Sequence, residues 1–338
     1  MSDGRFQARS FRAAIVCGLA AAMVVGGAGS ALADPAEPTN YRSTVTAVEP
    51  QSDSASFGVV GGDAFLEIVV TAGHDVQIPG YYSEPYVRIE ADGSVWENRA
   101  SPSFYLNDDR YGQTPIPEGI DAGSEPRWEQ VATDGRYAWH DHRIHWMSAD
   151  LPPTVSGVER QRVFPWELPV VIDGREAILR GELEWLPSQS PVLPLLIGLV
   201  ALIPLTVRWR RSPVVLAGGL VLASVAALGI EFAQYTGTPP GARAFPSEVV
   251  LPVVGLAIGG TLLGRRGRID AASWMMGGGG LALLGWGLRN LEVLWLPVLP
   301  SAIAPLIERS GVAAVLWVGG GVFAVWATDL VRKLRPAT

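Results

Sequence analysis

Residues 168–179 read Leu-Pro-Val-Val-Ile-Asp-Gly-Arg-Glu-Ala-Ile-Leu, and this stretch decides the class of the first half of the chain. Two apolar runs, 168–172 and 176–179, flank Asp173-Gly174. An Asp-Gly pair supplies the positive φ angles that a tight hairpin turn requires, and Val and Ile favour strands. The stretch therefore predicts two antiparallel strands joined by a short turn.

The same signal recurs earlier in the chain. Asp-Gly pairs lie between further apolar runs: Asp92-Gly93 between 86–90 and 95–97, and Asp134-Gly135 between 128–131 and 136–139. Another strand is predicted at 65–70, a long loop at 101–123, and no helix between residues 40 and 185. We therefore predict an all-β domain over 34–188, an Ig-like or Greek-key sandwich.

The composition indicates a membrane protein. Of 338 residues, 48% are hydrophobic and 17% charged, which is too apolar for an ordinary soluble domain. Residues 34–188 hold 11 arginines against 26 acids, a net charge of −15, which argues against a nucleic-acid partner. Lys333 is the one lysine in the chain, which excludes P-loop, protein-kinase and lysine Schiff-base chemistry.

The last part of the chain is predicted to span the membrane about five times within 189–331. The apolar runs lie near 192–207, 214–233, 248–264, 271–288 and 311–328. Nine of the 12 basic residues there fall in 208–211, 265–268 and 332–335, which places these segments and the tail, 332–338, in the cytoplasm. Residues 291–307, interrupted by three prolines, are predicted to be interfacial or re-entrant.

Residues 1–33 have the pattern of a secretory signal peptide. Three arginines precede an apolar run that ends in Ala31-Leu32-Ala33. The pattern predicts a multi-pass protein of the cell membrane whose β-domain lies outside the cytoplasm. Cys17, the single cysteine, would leave with the signal, so thiolate sites and disulfides are not expected.

Polar groups within the predicted spans are few. Glu231 lies near the outer end of its span and is expected either to line an outward pocket or to be an ordinary interfacial acid beside Tyr235. Close packing of the helices is predicted from pairs and runs of glycine, including 255/259, 260/264, 277–280 and 319–321.

Residues 139–147 read Trp-His-Asp-His-Arg-Ile-His-Trp-Met and hold three of the four histidines. Alternate side chains of a β-strand share a face, so we predict that His140 and His142 point the same way with Cα atoms about 6.6 Å apart. Two imidazoles at that spacing are able to converge on one ion. His145 would face the other way, so a three-histidine site needs a bulge or turn between His142 and His145.

The predicted function is therefore metal binding for handling or sensing at the cell envelope. Imidazoles with a thioether and no thiolate suit copper first, then zinc or nickel. The candidate metal ligands are His140, His142, His145, His74 and Met147. An acidic domain would concentrate such a cation.

A structural alternative explains the same residues. In it, Asp141 either pairs with Arg143 or orients a histidine, within a buried hydrogen-bond network that fixes a strand crossing. The domain would then be an envelope scaffold or a module that contacts another envelope protein. A hydrolase is the least favoured interpretation, because no Gly-x-Ser-x-Gly, His-Glu-x-x-His or paired-carboxylate pattern is present, so a non-enzyme is expected.

Three segments carry a resemblance. The segments are 84–88 (Glu-Pro-Tyr-Val-Arg), 105–111 (Tyr-Leu-Asn-Asp-Asp-Arg-Tyr) and 136–147 (Arg-Tyr-Ala-Trp-His-Asp-His-Arg-Ile-His-Trp-Met). They resemble a group of uncharacterised exported, membrane-anchored proteins of actinobacteria. The resemblance implies an exported domain followed by membrane spans and brings no catalytic residue. A looser similarity, by fold analogy, is to periplasmic copper-binding β-sandwich proteins fused to membrane helices.

Overall fold

The structure is a computed structural model that describes residues 36–203, 212–240, 243, 247–265 and 273–334. The predicted signal peptide, 1–33, lies outside the described residues, as do most of the three basic segments used to orient the spans.

The first part of the chain forms ten strands in two sheets. They are β1 (Tyr41–Glu49), β2 (Ala55–Val60), β3 (Phe65–Val70), β4 (Val76–Pro79), β5 (Pro85–Ile89), β6 (Val95–Asn98), β7 (Trp128–Ala132), β8 (Arg136–Trp139), β9 (Gln161–Ile172) and β10 (Arg175–Trp185). One sheet has seven strands in the order β1-β10-β9-β4-β5-β6-β7, and the other has three in the order β2-β3-β8. Every pairing is antiparallel.

Both sheets contribute side chains to one hydrophobic core. Leu66, Ile68 and Trp139 come from the three-stranded sheet, and Leu168 and Leu179 from the seven-stranded sheet, all of them buried. Alternate residues of the central strands point inward, as period-two patterns require. Each fully buried Leu or Ile contributes roughly 1.5–3 kcal/mol, so this shared core holds the two sheets together.

The Asp173-Gly174 and Asp92-Gly93 hairpins are confirmed. Asp173 and Gly174 have φ of 50° and 72°, and the strands on either side, β9 and β10, are paired along most of their length. Two successive positive φ angles match the twist of the flanking strands, which is why this dipeptide closes the turn. Gly93, with φ of 87°, turns between the paired strands β5 and β6.

The third predicted hairpin, at Asp134-Gly135, is wrong. Strand β7 pairs with β6 in the large sheet, whereas β8 pairs with β3 in the small one. The turn therefore carries the chain from one sheet to the other. Gly135 donates its N–H to the Gly93 carbonyl at 2.9 Å, and its own carbonyl accepts from Val70 N at 2.9 Å, so both of its backbone groups are taken by other segments.

The predicted loop at 101–123 contains a short helix, α1 (Pro102–Leu106). The expectation of no helix before residue 185 is therefore wrong at this point. Ser101 caps the helix by accepting from Ser103 N, and proline follows at the first helical position, where its missing N–H costs nothing. Buried Glu84 accepts from the Ser101 and Ser103 hydroxyls at 2.6 Å each and fastens α1 to the domain.

The second part of the chain is helical. Its helices are α2 (Val192–Leu199), α3 (Pro213–Gly237), α4 (Val250–Gly264), α5 (Trp274–Arg289) and α6 (Pro305–Leu334), with single 3₁₀ turns at Val200–Leu202 and Ser247–Val249. Within the part of the chain that the structure describes, three helical segments are long and apolar enough to cross a membrane: 213–237, 247–264 and 305–334. Among the described residues, 192–202 is apolar but shorter. Membrane association is thus supported, and the count of five spans stays a prediction.

Two of the predicted glycine runs lie where helices α5 and α6 pack closely. A β-carbon on Gly319 of α6 would lie 2.6 Å from Leu284 N, and one on Gly280 of α5 would lie 2.8 Å from Phe323 N. Real side chains do not fit at such distances, so the two helix backbones meet at these glycines. At Gly260 and Gly264, by contrast, an added β-carbon meets nothing within 4 Å.

Residues 291–304, in the helical part, form backbone hydrogen bonds with both ends of the β-sheet domain. A 3₁₀ turn at Leu291–Leu294 is followed by a non-helical stretch up to Pro305. Val298 exchanges two backbone hydrogen bonds with Thr39, at 3.0 and 3.1 Å, and Gln189 N donates to the Trp295 carbonyl at 2.7 Å. This stretch therefore forms no spanning helix and instead contacts both chain ends of the β-sheet domain.

Candidate functional site

The histidine motif does not continue strand β8. The strand ends at Trp139, and the chain turns so that Ile144 N donates to the Asp141 carbonyl at 3.1 Å. The prediction that His140 and His142 share the face of a regular strand is therefore wrong. The turn that the sequence required for a three-histidine cluster is present.

Asp141 fixes this turn. Its fully buried carboxylate accepts hydrogen bonds from Arg143 N, Nε and Nη2 at 3.0, 2.8 and 2.7 Å and from Trp139 Nε1 at 3.0 Å. Burial alone raises the pKa of Asp141, but the charge and hydrogen bonds of Arg143 outweigh it, so the pKa lies below its usual value. Every side of this carboxylate is thus occupied by protein donors.

The turn brings three imidazoles together. The rings of His142 and His145 are nearly perpendicular, with centroids 5.1 Å apart, and the ring of His140 lies 6.4 Å from that of His145. His74 does not join them, because its Nδ1 lies 2.9 Å from a carboxylate oxygen of Asp173 at the β9–β10 turn. Of the four predicted histidines, the structure therefore groups His140, His142 and His145.

Hydrogen bonds set the state of two of these rings. His142 Nε2 lies 2.9 Å from the Asp109 carbonyl, and His145 Nδ1 lies 3.2 Å from the Trp146 carbonyl. A carbonyl only accepts, so in each neutral ring the bonded nitrogen carries the proton and the opposite nitrogen carries a lone pair. These lone-pair atoms are His142 Nδ1 and His145 Nε2.

The lone-pair nitrogen of His145 is buried. Among the described residues, Nε2 has no hydrogen-bond partner. Burial, with the positive charge of Arg110 as the next cause, lowers the pKa of His145 to about 3. The ring is therefore neutral at physiological pH, which is the form that binds metals.

Met147 and His142 both lie close to Gly112. A β-carbon on Gly112 would lie 2.9 Å from His142 Cε1 and 3.5 Å from Met147 Cε. Gly112, with φ of 64°, is thus the residue beside which the Met147 methyl and the His142 ring both lie. Met147 is 39% exposed.

Asp63 and Arg110 border the cluster, and sequence reasoning missed Asp63. Arg110 Nη2 lies 2.6 Å from buried Asp63 Oδ2. Asp109 accepts from the backbone of its own loop, including Gln113 N at 2.7 Å. The charges of Asp63 and Arg110 cancel beside the histidines, and no sequence pattern links residues so far apart.

Within the described residues, no group of three or more His, Cys, Asp or Glu side chains is arranged to hold a metal ion. What the cluster offers is smaller, namely two imidazole nitrogens with lone pairs and a neighbouring thioether.

The chain matches no protein-family model, and comparisons with curated proteins and with solved structures give no significant similarity. Function is therefore argued from the site alone.

Proposed function

We propose that the β-sheet domain binds copper(I) through His142 and His145, with Met147 as a third, weaker ligand. One observation carries the proposal: two imidazoles 5.1 Å apart each bond one nitrogen to a backbone carbonyl, which leaves the other nitrogen as a donor to metal. Metal-binding histidines hold their second nitrogen in this way in most proteins.

Copper(I) suits this donor set better than zinc. Thioether and imidazole ligands select copper, whereas structural zinc sites need four ligands, and no such group occurs among the described residues. His140 stands next to the pair, with its ring tilted 4.3 Å from that of Phe65. The Asp63–Arg110 pair leaves the local charge near neutral, and the net charge of −15 over residues 34–188 attracts cations to the domain.

The proposed setting is the outer face of a cell membrane. The signal-peptide pattern, the sandwich arrangement of the two sheets and five spans with a cytoplasmic C-terminus belong to this proposal. Its support is the antiparallel sheet domain followed by helices that are able to span a membrane. Copper handling or sensing would then take place outside the cytoplasm.

The Asp141–Arg143 network favours a second candidate function. Four hydrogen bonds to one buried carboxylate are enough to fix the turn without a metal. On that interpretation the histidines only fill space, and the domain is a scaffold that contacts another envelope protein.

Copper(I) titration of the full-length protein in detergent, in competition with a chromophoric copper(I) chelator, separates the two functions. We expect one equivalent to bind, and His142→Ala and His145→Ala each to weaken binding by more than the roughly 10–100-fold that loss of an outer-shell partner costs. His74→Ala is the matched control and should bind like the wild type.

Met147→Leu should weaken copper(I) binding less than either histidine change and leave the melting temperature of the metal-free protein unchanged. Equal copper affinity in the wild type and both histidine variants would refute the proposal and favour the scaffold. Thermal melts in chelator confirm that each variant is folded.

A further inference from the structure

A cavity of about 470 Å³ opens at the end of the helices that adjoins residues 36–38. Its wall includes Glu231 and Tyr235 near the end of α3, Glu248 just before α4, and Arg289 at the end of α5. Glu231 thus lines a pocket, one of the two roles expected from the sequence. The volume is in the range of small-molecule sites, which are about 300–1,000 Å³.

Among the described residues, Glu231 is the most buried charged group in this wall. It is 4% exposed, and its Oε1 accepts from Nε1 of fully buried Trp286 at 2.6 Å. No described residue donates a hydrogen bond to its second oxygen. A buried carboxylate with one open oxygen facing a cavity favours a ligand that brings a positive charge and N–H donors.

The arginines of the wall are already engaged. Arg289 Nη2 lies 2.6 Å from Glu248 Oε1. Arg243 donates from Nε to the Thr238 carbonyl at 2.9 Å, and its guanidinium lies 5.1 Å from the centre of the Tyr235 ring. Among the described residues, four acids and two arginines line the cavity, so this part of its wall is net negative.

Neutral acceptors lie beside Glu231. Gln234 donates its amide N–H to buried Glu308 at 2.8 Å, which directs the amide and leaves its carbonyl oxygen as an acceptor. Glu308 is an acid that sequence reasoning missed. Asn290 also lines the cavity, and its Nδ2 donates to the Trp286 carbonyl at 3.1 Å, so its side-chain oxygen too is left to accept.

We infer that this cavity binds a primary ammonium group, with Glu231 as its anchor. An ammonium carries three N–H donors and one positive charge, which matches one open carboxylate oxygen and nearby amide oxygens. A bare metal ion fits less well, since no three acids or histidines of the described residues converge on one point. The inference concerns a site separate from the histidine cluster and stands without the copper proposal.

Two sources supply this chemistry. One is a small soluble amine, and the other is the ethanolamine headgroup of a phospholipid, because the cavity lies at helix ends, where headgroups meet protein. Both place the same ammonium on Glu231, and they differ in whether acyl chains are attached.

The test uses the full-length protein. Ethanolamine hydrochloride is titrated calorimetrically into the detergent-solubilised protein at fixed ionic strength, with tetramethylammonium chloride as a cation that has no N–H. In parallel, native mass spectrometry counts phosphatidylethanolamine retained from nanodiscs that also contain phosphatidylcholine. Glu231→Gln keeps the acceptor for Trp286 and removes the charge, and Glu182→Gln, on the exposed side of β10, is the matched control.

We expect ethanolamine, or phosphatidylethanolamine in preference to phosphatidylcholine, to bind the wild type and the control equally and Glu231→Gln at least about tenfold more weakly. Ser247→Arg, which adds a positive charge to the wall without touching Glu231, should weaken binding too. Binding of ethanolamine identifies a soluble amine, and retention of the lipid alone identifies a headgroup. Binding of neither, equal binding of tetramethylammonium, or binding unchanged in Glu231→Gln would overturn the inference.

Discussion

Asp141 in the β-sheet domain and Glu231 in the helical part are both buried carboxylates, but their surroundings differ. Asp141 accepts four hydrogen bonds and faces a guanidinium at 2.7 Å. Glu231 accepts one, from Trp286, and borders a cavity. A carboxylate whose lone pairs all accept hydrogen bonds from the protein holds the local backbone in place. One with unused lone pairs is still able to accept hydrogen bonds from a ligand.

Like Glu231, His142 and His145 each keep a lone pair that no described protein donor uses. Asp141 supplies the rigid turn, and His142 and His145 project from it with one nitrogen each held in place. In binding sites of this kind, the residues that hold the backbone in place have all their hydrogen bonds made within the protein, and the residues that bind the ligand keep a free donor or acceptor. Only the first group has to be stable before the ligand binds.

The largest effect is expected from removing Arg143, the partner of buried Asp141. Arg143→Leu leaves Asp141 buried without its countercharge, which should lower the free energy of unfolding by about 3–5 kcal/mol. Thermal or denaturant unfolding of the full-length protein, followed by the near-ultraviolet signal of the β-domain, measures it. Arg162→Leu, which removes an exposed pair with Glu182, is the control and should cost at most about 1 kcal/mol.

A second, intermediate effect concerns pH. The pKa of His145 is about 3 in the folded protein and 6.5 in an unfolded chain, so below pH 6.5 the unfolded state binds a proton that the folded state does not. Stability should therefore fall with decreasing pH between these values, by about 1.4 kcal/mol per unit from this residue.

Melting temperatures of the metal-free protein at pH 7 and pH 5 test this prediction. His145→Leu should lose that part of the pH dependence, and His74→Leu, which removes a half-exposed ring, should keep it. A wild type and a His145→Leu variant with the same slope would show that the ring is already solvated.

The smallest effect is expected at Glu231. Glu231→Gln retains the hydrogen bond from Trp286 and places an amide at the cavity, so the melting temperature of the amine-free protein should change by the equivalent of less than about 1 kcal/mol. Asp141→Asn is the matched change in the β-domain and should cost several times more, since it leaves Arg143 without a countercharge. Similar losses at the two positions would erase the distinction drawn between them.

Local patterns predicted much of the fold. Strands 65–70 and 136–139 have the predicted bounds, and the Asp173-Gly174 hairpin follows from backbone sterics at two residues. The Asp134-Gly135 turn shows where this reasoning ends. A turn dipeptide determines that the chain bends and leaves open which sheet each arm joins, because strand pairing is decided by distant residues.

The candidate site was predicted in composition but not in shape. The alternation of side chains in Trp139-His140-Asp141-His142 predicts a strand. Asp141 instead accepts hydrogen bonds from the backbone and side chain of Arg143, two residues later, and the chain turns there. Short polar side chains that bond nearby backbone compete with regular structure in this way. Asp63 and Glu308 were missed because their partners, Arg110 and Gln234, lie 47 and 74 residues away in the chain.

The contacts of residues 291–304 have a mechanical consequence. Thr39 lies before the first strand and Gln189 after the last, and each is hydrogen-bonded to this stretch, through Val298 and Trp295. Moving the β-sheet domain relative to this stretch therefore requires breaking hydrogen bonds at both of its chain ends, just ahead of helix α6, which begins at Pro305.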